Sequence, residues 1–189
     1  MNLIGTEFED GVLTVTLRDE ENRNALSAGL TSELSQTLDE AEENPEVRVI
    51  VLTNSGRVFC AGADLSERSS SKKSESPTKP VDPLEIFSRF RKSSKPYIGK
   101  IAGHCVAGGM GLAAAMDISI AIEEAKFGFT EVRIGVAPAM ISVLCLPKMR
   151  PAEASEAFLR GNRFSASEAA RMGLINSAVP GDEIDSVVQ

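Results

Sequence analysis

Two short segments of the sequence are built almost entirely from residues with small side chains. Residues 59–64 read FCAGAD, and residues 103–111 read GHCVAGGMG. Each segment follows a stretch whose residue pattern predicts a β-strand, and small side chains at a strand end let a ligand approach the backbone closely. A helix that begins at Gly108 and Gly109 would also present free N–H groups and its dipole to an anion.

Two backbone N–H groups that converge from separate strand ends can form an oxyanion hole, which stabilises a carbonyl oxygen as it gains negative charge. Loss of one such donor typically lowers the rate by ~10²–10³. Glycines can also serve only tight turns and close helix–strand packing, and either segment alone would favour that explanation. The presence of both segments, after successive strands, favours a ligand-binding interpretation.

The sequence offers few side chains for acid/base or nucleophilic chemistry. His104 is the only histidine, so neither a histidine-based triad nor a histidine-rich metal cluster can be built. We predict a packing or backbone-bonding role for it. The cysteines at positions 60, 105 and 145 are spaced like neither a disulfide framework nor a zinc site, and we interpret them as small buried thiols. We therefore predict no metal site.

Strands and helices are predicted to alternate along the chain, and these elements must position the two small-residue segments. Apolar and polar residues alternate over 12–18, which predicts a half-buried strand. The stripe of Leu30, Leu34 and Leu38 predicts a helix, and the β-branched run over 47–53 predicts a strand buried on both faces. Further strands are predicted at 97–102, 118–122 and 174–179. This order indicates an α/β fold, with residues 1–189 as one domain.

Composition excludes several classes of protein. The net charge is −7, with one tyrosine and no tryptophan, which argues against a nucleic-acid surface. The longest apolar runs, such as residues 118–122, are too short to cross a bilayer, and residues 1–5 do not resemble a signal peptide. With an odd number of cysteines, these features predict a protein of the reducing cytoplasm without a membrane span.

Two regions depart from this pattern. Residues 66–83 are rich in serine, lysine and proline and have no apolar stripe, so we predict a mobile surface loop there. The chain ends at Gln189, in what the pattern after Gly181 predicts to be the first turn of a helix. We therefore expect a C-terminal helical region to be absent from this sequence.

The two small-residue segments resemble signature motifs of the crotonase (enoyl-CoA hydratase/isomerase) superfamily. Residues 59–64 are similar to one motif, and AGG at 107–109, followed by Leu112 and Asp117, to another. Further similarities, in the expected order, occur at 19–26 (the family's RPxxxNAL, here without the proline), 127–132 (its FxxPE, also without the proline), 158–161, 169–175 and 179–180. The resemblance thus extends from about residue 5 to residue 188.

The resemblance implies a crotonase-type fold, with repeated β-β-α units around a spiral core, and an enzyme that acts on acyl-CoA thioesters. The N–H groups of Ala63 and Gly108 would hold the thioester oxygen as enolate charge develops. Family hydratases carry two catalytic glutamates. Glu131 stands at the second position, whereas the first aligns with Gly111. Without the resemblance, an ion pair with Arg133 would be the simpler role for Glu131.

A single carboxylate leaves the reaction open. Family isomerases often keep only the glutamate at the position of Glu131, and one base is enough to move a double bond from C3 to C2. Residues 130–142 also resemble a subgroup that hydrates branched glutaconyl-type thioesters with glycine at the first site. A third alternative is a non-catalytic or weakly active protein that binds acyl-CoA on the same fold.

The resemblance further implies which residues contact the substrate and how the protein assembles. Coenzyme A belongs to the substrate, so no separate cofactor is expected, and family members form homotrimers or hexamers. The residues predicted to line the substrate path are Ala61, Gly62, Asp64, Leu65, Gly109 and Gly111.

Overall fold

Two sheets form the framework of the computed structural model, which describes residues 2–69 and 81–189. The larger sheet contains, in spatial order, β1 (Ile4–Glu9), β2 (Val12–Leu17), β3 (Val49–Asn54), β5 (Tyr97–Ile101), β7 (Ile118–Ile122) and β10 (Ser177–Val179). The smaller sheet contains β4 (Val58–Cys60), β6 (His104–Val106), β8 (Lys126–Gly128) and β9 (Phe164–Ser165). Neighbouring strands are parallel except for β1–β2 and β8–β9.

Helices connect or cover these strands. They are α1 (Ala28–Glu43), α2 (Leu65–Ser69), α3 (Pro83–Lys92), α4 (Gly108–Ala115), α5 (Ala139–Cys145), α6 (Pro151–Arg160), α7 (Ala166–Arg171) and α8 (Ile184–Val188), and a 3₁₀ helix spans Thr130–Ile134. No helix within the described ranges is both long and apolar enough to cross a bilayer.

The first helix shows how the sequence pattern determines packing. The Ser27 side chain caps α1 by accepting a hydrogen bond from the Leu30 N–H. Leu30, Leu34 and Leu38 recur at helical spacing and are buried, as predicted. Burial of each leucine contributes about 1.5–3 kcal/mol, so this stripe fixes α1 against the larger sheet.

The chain crosses between the sheets three times in the same way. β3 leads into β4 and α2, β5 into β6 and α4, and β7 into β8 and the 3₁₀ helix. This confirms the predicted α/β fold of repeated β-β-α units. Because β4, β6 and β8 are parallel neighbours, the three segments that follow them leave the same edge of the smaller sheet.

The boundaries of the predicted loop at 66–83 need correction. Residues 66–69 belong to α2, and α3 begins at Pro83, where Asp82 caps the helix by accepting from the Leu84 N–H. Proline at the first helical position and aspartate before it are strong signals for the start of a helix. The prediction missed them because it relied on the lack of an apolar stripe. Residues 70–80, on which the rest of this prediction falls, lie outside the described residues.

The last predicted strand is shorter than expected. The pattern predicted a strand over 174–179, but β10 covers only Ser177–Val179. Leu174 and Ile175 are buried in the preceding turn, which explains their apolar character. Asn176 ties this turn to β7, since its side-chain oxygen accepts from the Ser119 N–H at 2.8 Å.

Candidate active site

The two predicted oxyanion donors are neighbours in the structure. Pairing of β4 with β6 places Cys60 opposite Cys105, so the segments after these strands run side by side. A Cβ atom added to Gly62 would lie 2.7 Å from the Gly108 nitrogen, and one added to Gly108 would lie 3.5 Å from the Ala63 nitrogen. The sheet therefore brings Ala63 and Gly108 together although 45 positions separate them in the sequence.

Both donors are free while the backbone around them is fixed. Neither the Ala63 N–H nor the Gly108 N–H donates a hydrogen bond to any group in residues 2–69 and 81–189. The adjoining amides are bonded: Leu26 N–H donates to Gly62 at 2.7 Å, and Ala107 N–H to Gly128 at 3.0 Å. Two unpaired donors on a restrained backbone are the arrangement that an oxyanion hole requires.

Unusual backbone angles accompany this arrangement. Gly62 has φ +90°, and a side chain there would also strike the Gly108 nitrogen, so only glycine fits. Ala107 has φ +50° and ψ −127°, which a residue with a Cβ rarely adopts. Such a conformation costs about 1–3 kcal/mol and persists only where its surroundings impose it.

Glycine at 109 has a packing role. A Cβ atom there would lie 2.5 Å from the Cys60 carbonyl oxygen, so α4 could not start so close to β4 with any other residue. Gly109 is buried, whereas Gly108 is half-buried. The close approach of α4 places its first N–H groups beside Ala63.

The segment after Ala63 is organised by a carboxylate. Asp64 accepts hydrogen bonds from the Asn22 side chain at 2.8 Å and from the Ser66 N–H at 2.8 Å, at the start of α2. Hydrogen bonds from Ser66 and Asn22 lower the pKa of Asp64. Its carboxylate is thus engaged in fixing the turn, while Leu65 is 53% exposed and Ala61 half-buried. Contact of these residues with substrate stays a prediction.

Glu131 lies in the 3₁₀ helix that follows β8, at the same sheet edge as the two donors. Its Oε2 atom is buried and has no hydrogen-bond partner among the described residues. Burial raises the pKa of the Glu131 carboxyl above its ordinary value of 4.5. A buried carboxylate oxygen without a partner carries an energetic cost, and carboxyl groups with shifted pKa values are common at functional sites.

The alternative role for Glu131, an ion pair with Arg133, is wrong. The Arg133 Nε donates instead to the Gly161 carbonyl oxygen at 2.7 Å, and none of the ion pairs between described residues includes Glu131. Arg133 joins the 3₁₀ helix to the end of α6, and no cation of the described residues pairs with the Glu131 carboxylate.

Helix α5 connects Glu131 with α4. The buried Cys145 thiol lies 3.7 Å from the Met110 carbonyl oxygen. Burial and, to a lesser extent, the negative charge of Glu131 raise the pKa of Cys145. Helix α5, which follows the 3₁₀ helix of Glu131, thus packs against the turn of α4 that contains Gly111.

The space beside Gly111 is filled by apolar atoms. A Cβ atom at Gly111 would lie 2.7 Å from the Ile141 Cγ2 and 3.0 Å from the Phe87 Cζ. Phe87, on α3, is 2% exposed and Ile141, on α5, is 3% exposed. The position at which family hydratases are expected to carry a glutamate thus has neither a side chain nor room for one.

Comparison with known proteins identifies the family. The model of the enoyl-CoA hydratase/isomerase family matches residues 7–188. The chain belongs to this family. It is 38% identical over 172 residues to a Thermus thermophilus protein described as an enoyl-CoA hydratase, covering 89% of this chain and 68% of that protein.

Solved structures show the same fold. An enoyl-CoA hydratase from Mycobacterium avium is 37% identical, with a TM-score of 0.86 over 98% of this chain and 72% of that one. An enoyl-CoA hydratase of Mycobacterium smegmatis is 27% identical, with a TM-score of 0.90 over 98% of this chain and 73% of that one. The crotonase-type fold predicted from the motifs is confirmed.

Within this enoyl-CoA hydratase/isomerase fold, His104 lies away from the donors. It begins β6, whereas Gly108 follows the other end of that strand. Its Nδ1 accepts a hydrogen bond from the Lys126 N–H at 3.1 Å, which agrees with the predicted backbone-bonding role. No group of three or more metal-ligating side chains occurs in the described part of the chain.

Sequence reasoning missed the residues that surround the family's catalytic positions. Phe87, Ile141 and Cys145 are apolar or weakly polar residues on amphipathic helices, and nothing in their local pattern distinguishes them from ordinary core residues. Only the packing of α3 and α5 against α4 reveals their role.

We predict that Gly111→Ala destabilises the protein. Alanine gains about 1 kcal/mol of helix propensity over glycine, but overpacking at Ile141 and Phe87 costs about 1–3 kcal/mol. Denaturant unfolding should therefore show a net loss. In an Ile141→Ala background the same change should become stabilising, because the nearest clash is removed. Equal effects of Gly111→Ala in both backgrounds would contradict the contact.

Proposed function

We propose that this protein transfers protons at C2 of an acyl-CoA thioester, with Glu131 as the acid/base and the N–H groups of Ala63 and Gly108 as the oxyanion hole. The observation that carries the proposal is the pair of free, adjacent donors together with a half-buried carboxylate whose Oε2 atom has no hydrogen-bond partner among the described residues. Membership of the enoyl-CoA hydratase/isomerase family is the reason for proposing a CoA thioester as the substrate.

Each group has a defined task. The Glu131 carboxylate takes a proton from C2, and the electron pair of the C–H bond moves into the carbonyl group. The carbonyl oxygen then carries enolate charge, which the two N–H groups stabilise. A positioned base typically contributes ~10²–10⁴ in rate and each oxyanion donor ~10²–10³. Collapse of the enolate returns a proton to carbon, so the step uses no redox cofactor or metal.

The reaction is that of an enoyl-CoA hydratase or isomerase, since both involve charge on the thioester oxygen. In this proposal the residues that line the substrate path are the small residues around the donors together with the start of α2. They are Ala61, Gly62, Asp64, Leu65, Gly109 and Gly111. Coenzyme A is bound as part of the substrate, in the cytoplasm.

Assembly into a homotrimer or hexamer belongs to the same proposal. Exposed apolar side chains gather on the 3₁₀ helix and on α5, including Ile134, Met140 and Val143, which is 62% exposed. Apolar surface of this kind favours association with another protein surface. Analytical ultracentrifugation would distinguish trimers and hexamers from a monomer.

The test is proton exchange at C2. A saturated acyl-CoA incubated with the protein in D₂O should gain deuterium at C2, which mass spectrometry detects. Calorimetry measures binding of the same thioester. Exchange supports the proposal. The second candidate, an acyl-CoA-binding protein without activity, is favoured by the missing carboxylate at Gly111. Thioester binding without C2 exchange would support this second candidate.

The pH dependence of exchange should reflect the environment of Glu131. A base acts only when ionised, and burial raises the pKa of Glu131 above 4.5. The rate of exchange should therefore fall with decreasing pH around a midpoint above 4.5. The Cys145 thiol adds no charge to this titration, because burial raises its pKa and keeps it protonated near neutral pH. An acid limb centred at or below 4.5 would exclude Glu131 as the base.

A further inference from the structure

We propose that the outer face of the smaller sheet binds a phosphate group, at a site separate from the oxyanion donors. The side chains that would hold it are Arg57, His104, Lys126 and Arg163. Three of the four are cations, in a chain whose net charge is −7. The site uses neither Glu131 nor the two donors, so this inference goes beyond the proposed function.

Alternation along the short strands places His104 and Lys126 on the outer face. Cys105 of β6 and Phe127 of β8 are register partners, and both are fully buried in the core. Because successive side chains of a strand point to opposite faces, His104 and Lys126, which precede them, face outward. His104 is half-buried and Lys126 is exposed, which agrees with this placement.

Arg163 reaches the same face from β9. The next residue, Phe164, is buried and pairs with Phe127, so Arg163 belongs to the outer face. A Cβ atom added to Gly128 would lie 3.6 Å from the Arg163 Cγ. The arginine side chain therefore lies beside the outer surface of β8.

Arg57 completes the group at the start of β4. Its carbonyl oxygen accepts a hydrogen bond from the His104 N–H at 2.9 Å, so the two residues are neighbours across β4 and β6. The strand order β4-β6-β8-β9 places His104 between the cations on either side. Adjacent strands are about 4.8 Å apart, a distance that extended arginine and lysine side chains can span.

The electrostatics of the face agree with this geometry. Burial lowers the pKa of the His104 imidazole, and so do three nearby positive charges, those of Arg163, Lys126 and Arg57. No carboxylate of the described residues offsets these charges at His104. Within residues 2–69 and 81–189, none of the three cations has a side-chain ion pair or hydrogen bond. Their positive charge is thus not neutralised.

Two exposed carboxylates lie at the margin of the face without pairing with its cations. Glu168 is near Lys126, but its Oε2 accepts from the Ser165 N–H at 2.7 Å and from the Ser165 hydroxyl at 2.9 Å. Glu20 lies over Gly56, where an added Cβ atom would be 2.7 Å from the Glu20 Oε2. The three cations outnumber these two carboxylates, and the face stays positive.

The donors fit a phosphate group better than a carboxylate. The His104 Nδ1 accepts a hydrogen bond from the Lys126 N–H at 3.1 Å, so the neutral imidazole carries its proton on Nε2 and can donate it. Two guanidinium groups and one ammonium group add charged donors, and none of these groups can accept a hydrogen bond. A phosphate dianion offers three strong acceptor oxygens, and arginine binds it through paired hydrogen bonds.

The test uses His104 as a reporter, because it is the only histidine in the chain. In a proton NMR titration with inorganic phosphate, at an ionic strength held constant with sodium chloride, its Cε1–H signal should shift and saturate. The pKa of His104 should lie below its ordinary value of 6.5 in chloride and rise by roughly 1 pH unit in saturating phosphate, since a bound anion stabilises the imidazolium. A change that does not saturate and that chloride reproduces would be charge screening alone, and would overturn the inference.

A matched pair of variants tests the site itself. Arg163→Gln should weaken phosphate binding by about 3- to 5-fold, because it removes one charged donor from an exposed position. Arg160→Gln removes the same charge from an exposed arginine that pairs with Glu156, and should leave phosphate binding unchanged. Equal effects of the two variants would mean that net charge governs binding, and would overturn the site.

A last arm separates this site from the substrate site. Saturating acyl-CoA should leave the phosphate titration of His104 unchanged, because the cations and the oxyanion donors are different groups. Competition between acyl-CoA and phosphate would assign the signal change to the phosphates of the substrate and overturn the inference of a separate site.

Discussion

Replacement of Glu131 by glutamine should slow C2 proton exchange by at least about 10²-fold. Glutamine has nearly the same shape but cannot accept a proton, and no neighbouring base in the described residues stands in for it. The buried Oε2 of Glu131 lacks a partner, so the change breaks no ion pair. The measurement is deuterium incorporation at C2 of an acyl-CoA under saturating conditions.

Two controls separate lost chemistry from lost structure. Glu85→Gln, an exposed change on α3, should leave the exchange rate unchanged. The folded state disfavours the ionised form of Glu131, because its pKa is raised. Its contribution to stability is therefore lost as the pH rises through that pKa, and Glu131→Gln should be at least as stable as the wild type at pH 8. A stable variant with near-normal exchange would refute the assignment of Glu131.

Gly108→Pro should lower the rate by ~10²–10³, because it removes one of the two oxyanion donors. Gly108 is the first residue of α4, where a helix has no N–H bond to lose, but Ala107 before it has ψ −127°, unlike the 127° and 128° of the residues before Pro83 and Pro151. The measurement is again C2 exchange, with circular dichroism as the check on folding.

Gly108→Ala is the matched control for this change. It adds a Cβ atom 3.1 Å from the Gly62 Cα, a close contact that proline introduces as well, but it keeps the N–H. The difference in rate between the two variants therefore reports the loss of the N–H together with the ring that proline adds at the nitrogen. If alanine and proline slow the reaction equally, steric displacement and not loss of the donor is responsible.

The framework and the donor segments could be predicted because their signals are local. The leucine stripe of α1 has helical spacing, and the glycines at 108 and 109 stand where a helix begins. The meeting of Ala63 and Gly108 itself depends on the pairing of β4 with β6, two strands of three residues each that the sequence pattern did not predict. The motifs also indicated the family, and the family model matches residues 7–188.

The environment of Gly111 and Glu131 could not be predicted, since it depends on contacts between distant helices. Phe87 and Ile141 are 54 positions apart and meet only because α3 and α5 pack against α4. Arg133 is two positions from Glu131 and would be its simplest ion-pair partner. In the structure the Arg133 side chain instead donates a hydrogen bond to the Gly161 carbonyl oxygen. In both cases tertiary packing overrides the simplest local interpretation.

The filled space at Gly111 also restricts how this chain could evolve. A glutamate introduced there first would meet Ile141 and Phe87 and destabilise the fold before any benefit could be selected. Smaller residues at 87 or 141 must come earlier, and each of these changes itself costs packing in the core. The order of substitutions is therefore constrained by epistasis, and gain of the second carboxylate is inaccessible to a single mutation.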